Sequence, residues 1–195
     1  SCTTGAIEVR WLSIGLNREW RGKNHSSVGK RYPVYLRQRN RGRLMLIASF
    51  AAPAFATNCW IIAPGPGQEC IIIDPGMPDV TLAVEEILHQ YDLKPVATLV
   101  THGHLDHTFS VLPLCQGYGI PAYIHSEDRI LLTHPEQALS AVFAATLGET
   151  NFYEPSDVRE LRNGEELEFL GMTLRAIHAP GHTRGSLIFT IADEV

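Results

Sequence analysis

The sequence predicts an α/β fold, and three observations carry that prediction. Short apolar runs bounded by Pro and Gly recur through residues 44–191, as strands between turns do. Residues 79–90 place Val80, Val84, Ile87 and Leu88 on one face, the period of an amphipathic helix. Between two of the apolar runs this makes a strand, helix, strand order, and directly after the second run stands Thr101-His102-Gly103-His104-Leu105-Asp106-His107-Thr108. Such units form parallel sheets whose ligands gather at the carboxyl ends of the strands.

Taken in order, residues 44–50, 59–63 and 70–73 read as three strands, separated by Pro53 and by Pro64-Gly65-Pro66-Gly67. Asp74-Pro75-Gly76 then forces a turn. Asp79 is suited to cap the helix over 79–90, and residues 93–95 lead into the apolar run 97–100. Residues 108–118 continue as a helix stopped by Gly117 and Gly119, and 120–124 give another strand. The Ala-rich stretch 137–147 reads as helical up to Gly148. Strands follow at 158–161, 165–170, 172–177 and 186–191, with Asn163-Gly164 and Gly171 as turns. His125 and His134, each isolated in a polar stretch, read as surface or capping residues.

The octapeptide holds three imidazoles and a carboxylate within six positions, the side chains that borderline divalent cations accept. His102 and His104 are two apart, so in extended chain both point the same way and can grip one ion. Gly103 lets the backbone turn closely between them. Asp106 and His107 come after the turn and can face a second position, so the spacing suggests two metal sites. The competing reading is a solvated polar loop that caps the next helix, and four metal-type ligands in one loop weigh against it. Farther on, Pro180-Gly181 makes an abrupt turn that can carry His182 back toward this cluster; His178 is the alternative.

An HxHxDH motif after an apolar strand resembles the signature of the metallo-β-lactamase fold hydrolases. Ile73-Asp74-Pro75-Gly76 and Ala179-Pro180-Gly181-His182-Thr183-Arg184-Gly185-Ser186 fit the same pattern, and the Pro-Gly-His-Thr-x-Gly-Ser form most resembles the glyoxalase II-like (hydroxyacylglutathione hydrolase-like) branch. The resemblance covers residues 44–195 and implies a four-layer αββα sandwich. Carried over by position, it implies a first metal site of His102, His104 and His182, with Asp106 and His107 helping to hold a second ion and Asp106 orienting the nucleophile. Asp74 then supports the metal-binding loop without ligating, against its plainer reading as a turn residue, and Asn58 takes a structural role. Two zinc ions are the default cofactors, with iron or manganese open to the same ligands. The implied reaction is attack of metal-bound hydroxide on a thioester such as a hydroxyacylglutathione. Lactone or phosphodiester hydrolysis, and an inactive metal-binding module, are the alternatives.

Family members carry a bridging aspartate and a final histidine farther along, and neither is assigned here, since Asp193 comes too early in the wrong context. The expectation is therefore a domain whose C-terminal part lies beyond this chain. No GxSxG elbow, P-loop or dinucleotide fingerprint is present, and no cysteine lies in the His cluster.

The 195 residues and 45% hydrophobic content suit one domain. The net charge of −5 is unevenly spread: residues 1–43 hold ten Lys and Arg against Glu8 and Glu19, a balance of +8. This segment shows no sustained period and reads as a basic, disordered extension, in preference to a nucleic-acid-binding arm. Every apolar stretch is interrupted short of membrane-spanning length. Cys2, Cys59, Cys70 and Cys115 lack paired spacing, which fits a reducing cytoplasm better than a disulfide framework.

Overall fold

The computed structural model describes residues 34–38 and 44–192. Among the described residues, ten strands form two sheets. The larger contains β1 (Val34–Gln38), β2 (Leu44–Ala51), β3 (Asn58–Ala63), β4 (Glu69–Ile73), β5 (Lys94–Leu99), β6 (Ala122–His125) and β7 (Val158–Leu161), in that spatial order. β1 to β4 are antiparallel neighbours, and β4 to β7 are parallel. The smaller sheet is the antiparallel set β8 (Glu166–Phe169), β9 (Met172–His178) and β10 (Leu187–Ala192), with β9 in the middle.

The period-two alternation of each strand decides which layer it faces. Leu46, Ala48, Ile61, Cys70 and Ile72 pack with Val80, Ala83, Val84, Ile87 and Leu88 of α1 (Asp79–Tyr91). Their neighbours Met45, Ile47, Ile62, Ile71 and Ile73 turn the other way and pack with Met172, Leu174, Ala176 and Leu187 of the small sheet. The large sheet is thus buried on both faces, which is why β3 and β4 read as nearly continuous apolar runs. Each of these large side chains contributes about 1.5–3 kcal/mol by leaving water. Helix, sheet and sheet are three successive layers of the mixed α/β sandwich expected.

Four local expectations change. Val34–Gln38 lies inside the segment assigned to a disordered extension, yet it pairs with β2, Val34 opposite Ala48 through Gln38 opposite Leu44. Val, Tyr and Leu favour strands, and β2 offers open backbone groups at its edge; charge counting does not register either. The remainder of residues 1–43, and Asp193, lie outside the described residues. The helix cap is Pro78 and not Asp79, which is already helical. The helix expected over 108–118 is two, α2 (Leu105–Thr108) and α3 (Val111–Tyr118). Pro113 has no N–H for the carbonyl of Phe109, so the ladder breaks there, and Ser110 instead gives its N–H to Gly76 O at 2.7 Å. Finally, 137–147 holds only a 3₁₀ turn (Pro135–Ala138) and the short α4 (Ala141–Thr146), none of whose residues is buried. Alanine propensity without a packing face sustains little helix.

Candidate metal centre

The parallel strands end on one side of the sheet, and the sequence places its polar residues there. β4 runs into Asp74, β5 into residues 100–107 and β6 into His125. Asp74 takes a left-handed backbone (φ 50°), which an aspartate tolerates. That turn aims its carboxylate across to the next strand, where Oδ1 accepts from Thr101 N at 2.8 Å and Oδ2 from Thr101 Oγ1 at 2.6 Å. Asp74 Oδ2 also lies 3.0 Å from His107 Nδ1, off the line of a good hydrogen bond. The residue therefore fixes the start of the His loop and the orientation of His107.

His102, His104 and His182 converge, with one donor atom of each within 4.8 Å of the others. Their rings meet edge to face, at centroid separations of 4.9, 4.7 and 4.5 Å. His102 is buried, His104 half-buried and His182 exposed, so the cluster runs from the core to the surface. The His107 ring lies 3.9 Å from that of His102, tilted by 52°, and its Nε2 lies 3.6 Å from Asp106 Oδ2. The residues anticipated for a second ion are thus adjacent to the first set. Asp106 Oδ2 also accepts from Thr57 Oγ1.

Burial, reinforced by the neighbouring His107, holds the His102 imidazole down to about 3, against an ordinary value of 6.5. Burial and His182 likewise lower His104. For His107 burial acts in the same sense, but the charges of Asp74 and Asp106 outweigh it and the imidazole is raised. Neutral rings keep the lone pairs that a cation requires. His102 Nε2 is buried with no hydrogen-bond partner, an expensive arrangement for a polar atom unless something else satisfies it. Three imidazoles around an otherwise unsatisfied donor fit a divalent ion such as zinc.

His178 is not part of this set. Its Nε2 donates to Arg184 O at 2.7 Å, and its ring stacks at 4.0 Å on His125. His125, expected at the surface, is 6% exposed because that stack and the end of β6 cover it. Asn58, at the start of β3, is exposed, and the neighbouring Thr57 makes the contact to the site. The sequence reading also passed over Asp128, which is 1% exposed and bonds to both His loops. A carboxylate three residues beyond a strand end has no local pattern to announce it.

The family model of the Metallo-beta-lactamase superfamily matches residues 52–195. An uncharacterized protein of Mycobacterium bovis is 38% identical over 148 residues, which are 75% of this chain and 66% of that protein. A hydroxyacylglutathione hydrolase of Xylella fastidiosa is 32% identical over 138 residues, 70% of this chain and 43% of that enzyme. Among solved structures, the B3 metallo-β-lactamase BLEG-1 superposes with a TM-score of 0.60 at 26% identity, covering 74% of this chain and 66% of the other. The chain therefore spans about two thirds or less of the length of these relatives. With the matched region running from the start of the β2–β3 turn through both His loops, the chain belongs to the metallo-β-lactamase superfamily.

Proposed function

We propose that this protein is a metal-dependent hydrolase of thioesters, hydroxyacylglutathione or another acyl-thiol. The observation that carries the reading is the convergence of His102, His104 and His182 around the unpartnered Nε2 of His102. These three side chains would hold the first ion, and His107 with Asp106 would share in holding a second. A divalent ion held there, zinc by default or iron or manganese, would supply Lewis-acid polarisation of the substrate carbonyl and lower the pKa of a bound water. Asp106 would orient the attacking water; its Oδ2 accepts from Thr57 Oγ1. Asp74 holds His107 in register. A thiol ionises near pH 8.5, so a thiolate leaves without a protonated partner, and thioester cleavage asks less of the protein than ester or amide cleavage. Likeness to the Xylella hydroxyacylglutathione hydrolase supports that substrate class.

A β-lactam is the second substrate to test, since BLEG-1 shares the fold. Cys59, Cys70 and Cys115 are buried free thiols, which suits a reducing cytoplasm. No helix among the described residues is long and apolar enough to cross a membrane.

Metal content and kinetics, measured with acyl-thiols, lactones, a phosphodiester and a β-lactam, test the reading. Acyl-thiols should turn over fastest, and His102→Ala should lose both metal and activity. Turnover that survives that substitution sinks the mechanism, and preference for another ester class sinks the substrate assignment.

A further inference from the structure

We propose that Asp128 is a positioning residue for the metal centre, a carboxylate staple that sets the distance between the loop carrying His102 and His104 and the loop carrying His182. The proposal rests on the metal-centre reading above and concerns a residue outside the ligand set.

The two loops come from different sheets. Residues 100–107 follow β5 in the large sheet, whereas residues 179–186 connect β9 to β10 in the small one. Nothing in the local chain fixes one against the other. Asp128, from the segment after β6, reaches both. Its Oδ2 accepts from Gly103 N at 2.8 Å, the amide between the two histidines of the first loop. The same oxygen accepts from Thr183 Oγ1, next to His182, and Oδ1 accepts from Gly185 N at 2.8 Å. Thr183 Oγ1 and its backbone N–H both reach Ser186 Oγ, at 2.8 and 3.0 Å, closing the second loop on itself. A backbone bond from Leu187 N to Thr101 O at 2.7 Å is a further link between the loops.

The glycines show that the approach is deliberate in the sequence. A Cβ on Gly103 would lie 2.7 Å from Leu131 Cδ1 and 2.9 Å from Asp128 O; one on Gly185 would lie 2.6 Å from Asp128 Cγ. Only glycine lets both amides reach the carboxylate. Asp128 is 1% exposed and among these contacts only donors face it, with no Lys or Arg, so its charge is stabilised by N–H and O–H groups that belong to the two loops. Loss of such an outer contact typically weakens metal binding about 10–100-fold.

Asp128→Asn keeps the size but replaces one oxygen with NH₂, which must then face a donor: Gly185 N–H in one orientation of the amide, Gly103 N–H in the other. Cobalt titration, followed by visible absorption on samples shown folded by circular dichroism, reads affinity for the three-imidazole site without relying on turnover. Asp128→Asn should bind cobalt about 10–100-fold more weakly and shift the ligand-field bands. Thr183→Val, a milder cut in the same staple, should weaken binding severalfold, and Thr183→Ser should restore it. A folded Asp128→Asn chain with wild-type affinity and bands overturns the proposal. If Asp128→Asn does not fold, the threonine pair decides: wild-type affinity in Thr183→Val overturns it equally. A wild-type chain that takes up no cobalt overturns the metal-centre reading, and this proposal with it, whereas a difference confined to Asp128→Asn and Thr183→Val supports both.

Discussion

The two loops that bring imidazoles together are built in opposite ways. The first leaves a parallel strand buried on both faces: Val100 is fully enclosed, His102 is 1% exposed, and Thr101 is tied to Asp74 through backbone and side chain. The second joins two antiparallel strands of the small sheet, and His182 at its tip is exposed. The hydrophobic core orders the first loop, so its histidines are positioned as a by-product of folding. The second depends on polar contacts, Thr183 with Ser186 and both with or beside Asp128. Burial and hydrogen bonds together preorganise the first loop, whereas the exposed tip of the second relies on hydrogen bonds.

That contrast can be broken most sharply at Gly103. Gly103→Ala forces a Cβ against Leu131 and Asp128 O, and should cost about 3 kcal/mol or more by overpacking. His182→Ala, in the other loop, should change unfolding free energy by less than about 0.5 kcal/mol because the residue is exposed. Urea denaturation of the metal-free variants measures both, and equal costs would end the distinction between the loops.

A smaller effect is expected at Asp74. Removing its carboxylate in Asp74→Ala strands the buried Thr101 amide and leaves the Thr101 hydroxyl only His102 Nδ1, at about 2–3 kcal/mol. The substitution also removes the leading source of the upward shift on His107, so NMR titration of that imidazole in metal-free protein should move to lower pH. A His107 titration unchanged in the variant would mean that Asp74 acts on the backbone alone.

A further effect is the pH dependence of metal-free stability. His102 is depressed to about 3 from 6.5, so below pH 6.5 the unfolded chain takes a proton here that the folded chain refuses. This position makes stability fall with falling pH in that window. His107 is raised, so the stability it adds is full below its unfolded value and is lost as pH rises through its folded value. Urea midpoints should peak near neutral pH and decline on both sides, and His102→Asn should flatten the acid limb. An acid limb unaltered by that substitution would place the proton uptake elsewhere.

The parts of the site that were legible in the sequence are those whose geometry is local. His102 and His104 share a side because extended chain repeats every two residues, and Pro180-Gly181 before His182 marks a turn wherever it occurs. Strands β2 to β10 were legible from their apolar runs and turn residues. Asp128 was not legible, because its partners Gly103 and Thr183 lie 25 and 55 positions away. The burial of His125 was hidden for the same reason, since its covering ring comes from His178. Strand β1 was concealed by its basic surroundings, although its pairing is a backbone property.

By itself the sequence determined the alternating faces of each strand, the amphipathic helix over the large sheet and the imidazole donors of the first loop, because periodicity and side-chain chemistry act within a few residues. Only the tertiary structure decided that His182 and not His178 meets the first loop, that His102 stays neutral, and that one buried carboxylate spans both loops. Those outcomes depend on which surfaces the two sheets bury against each other, and burial brings residues distant in the chain to hydrogen-bonding distance.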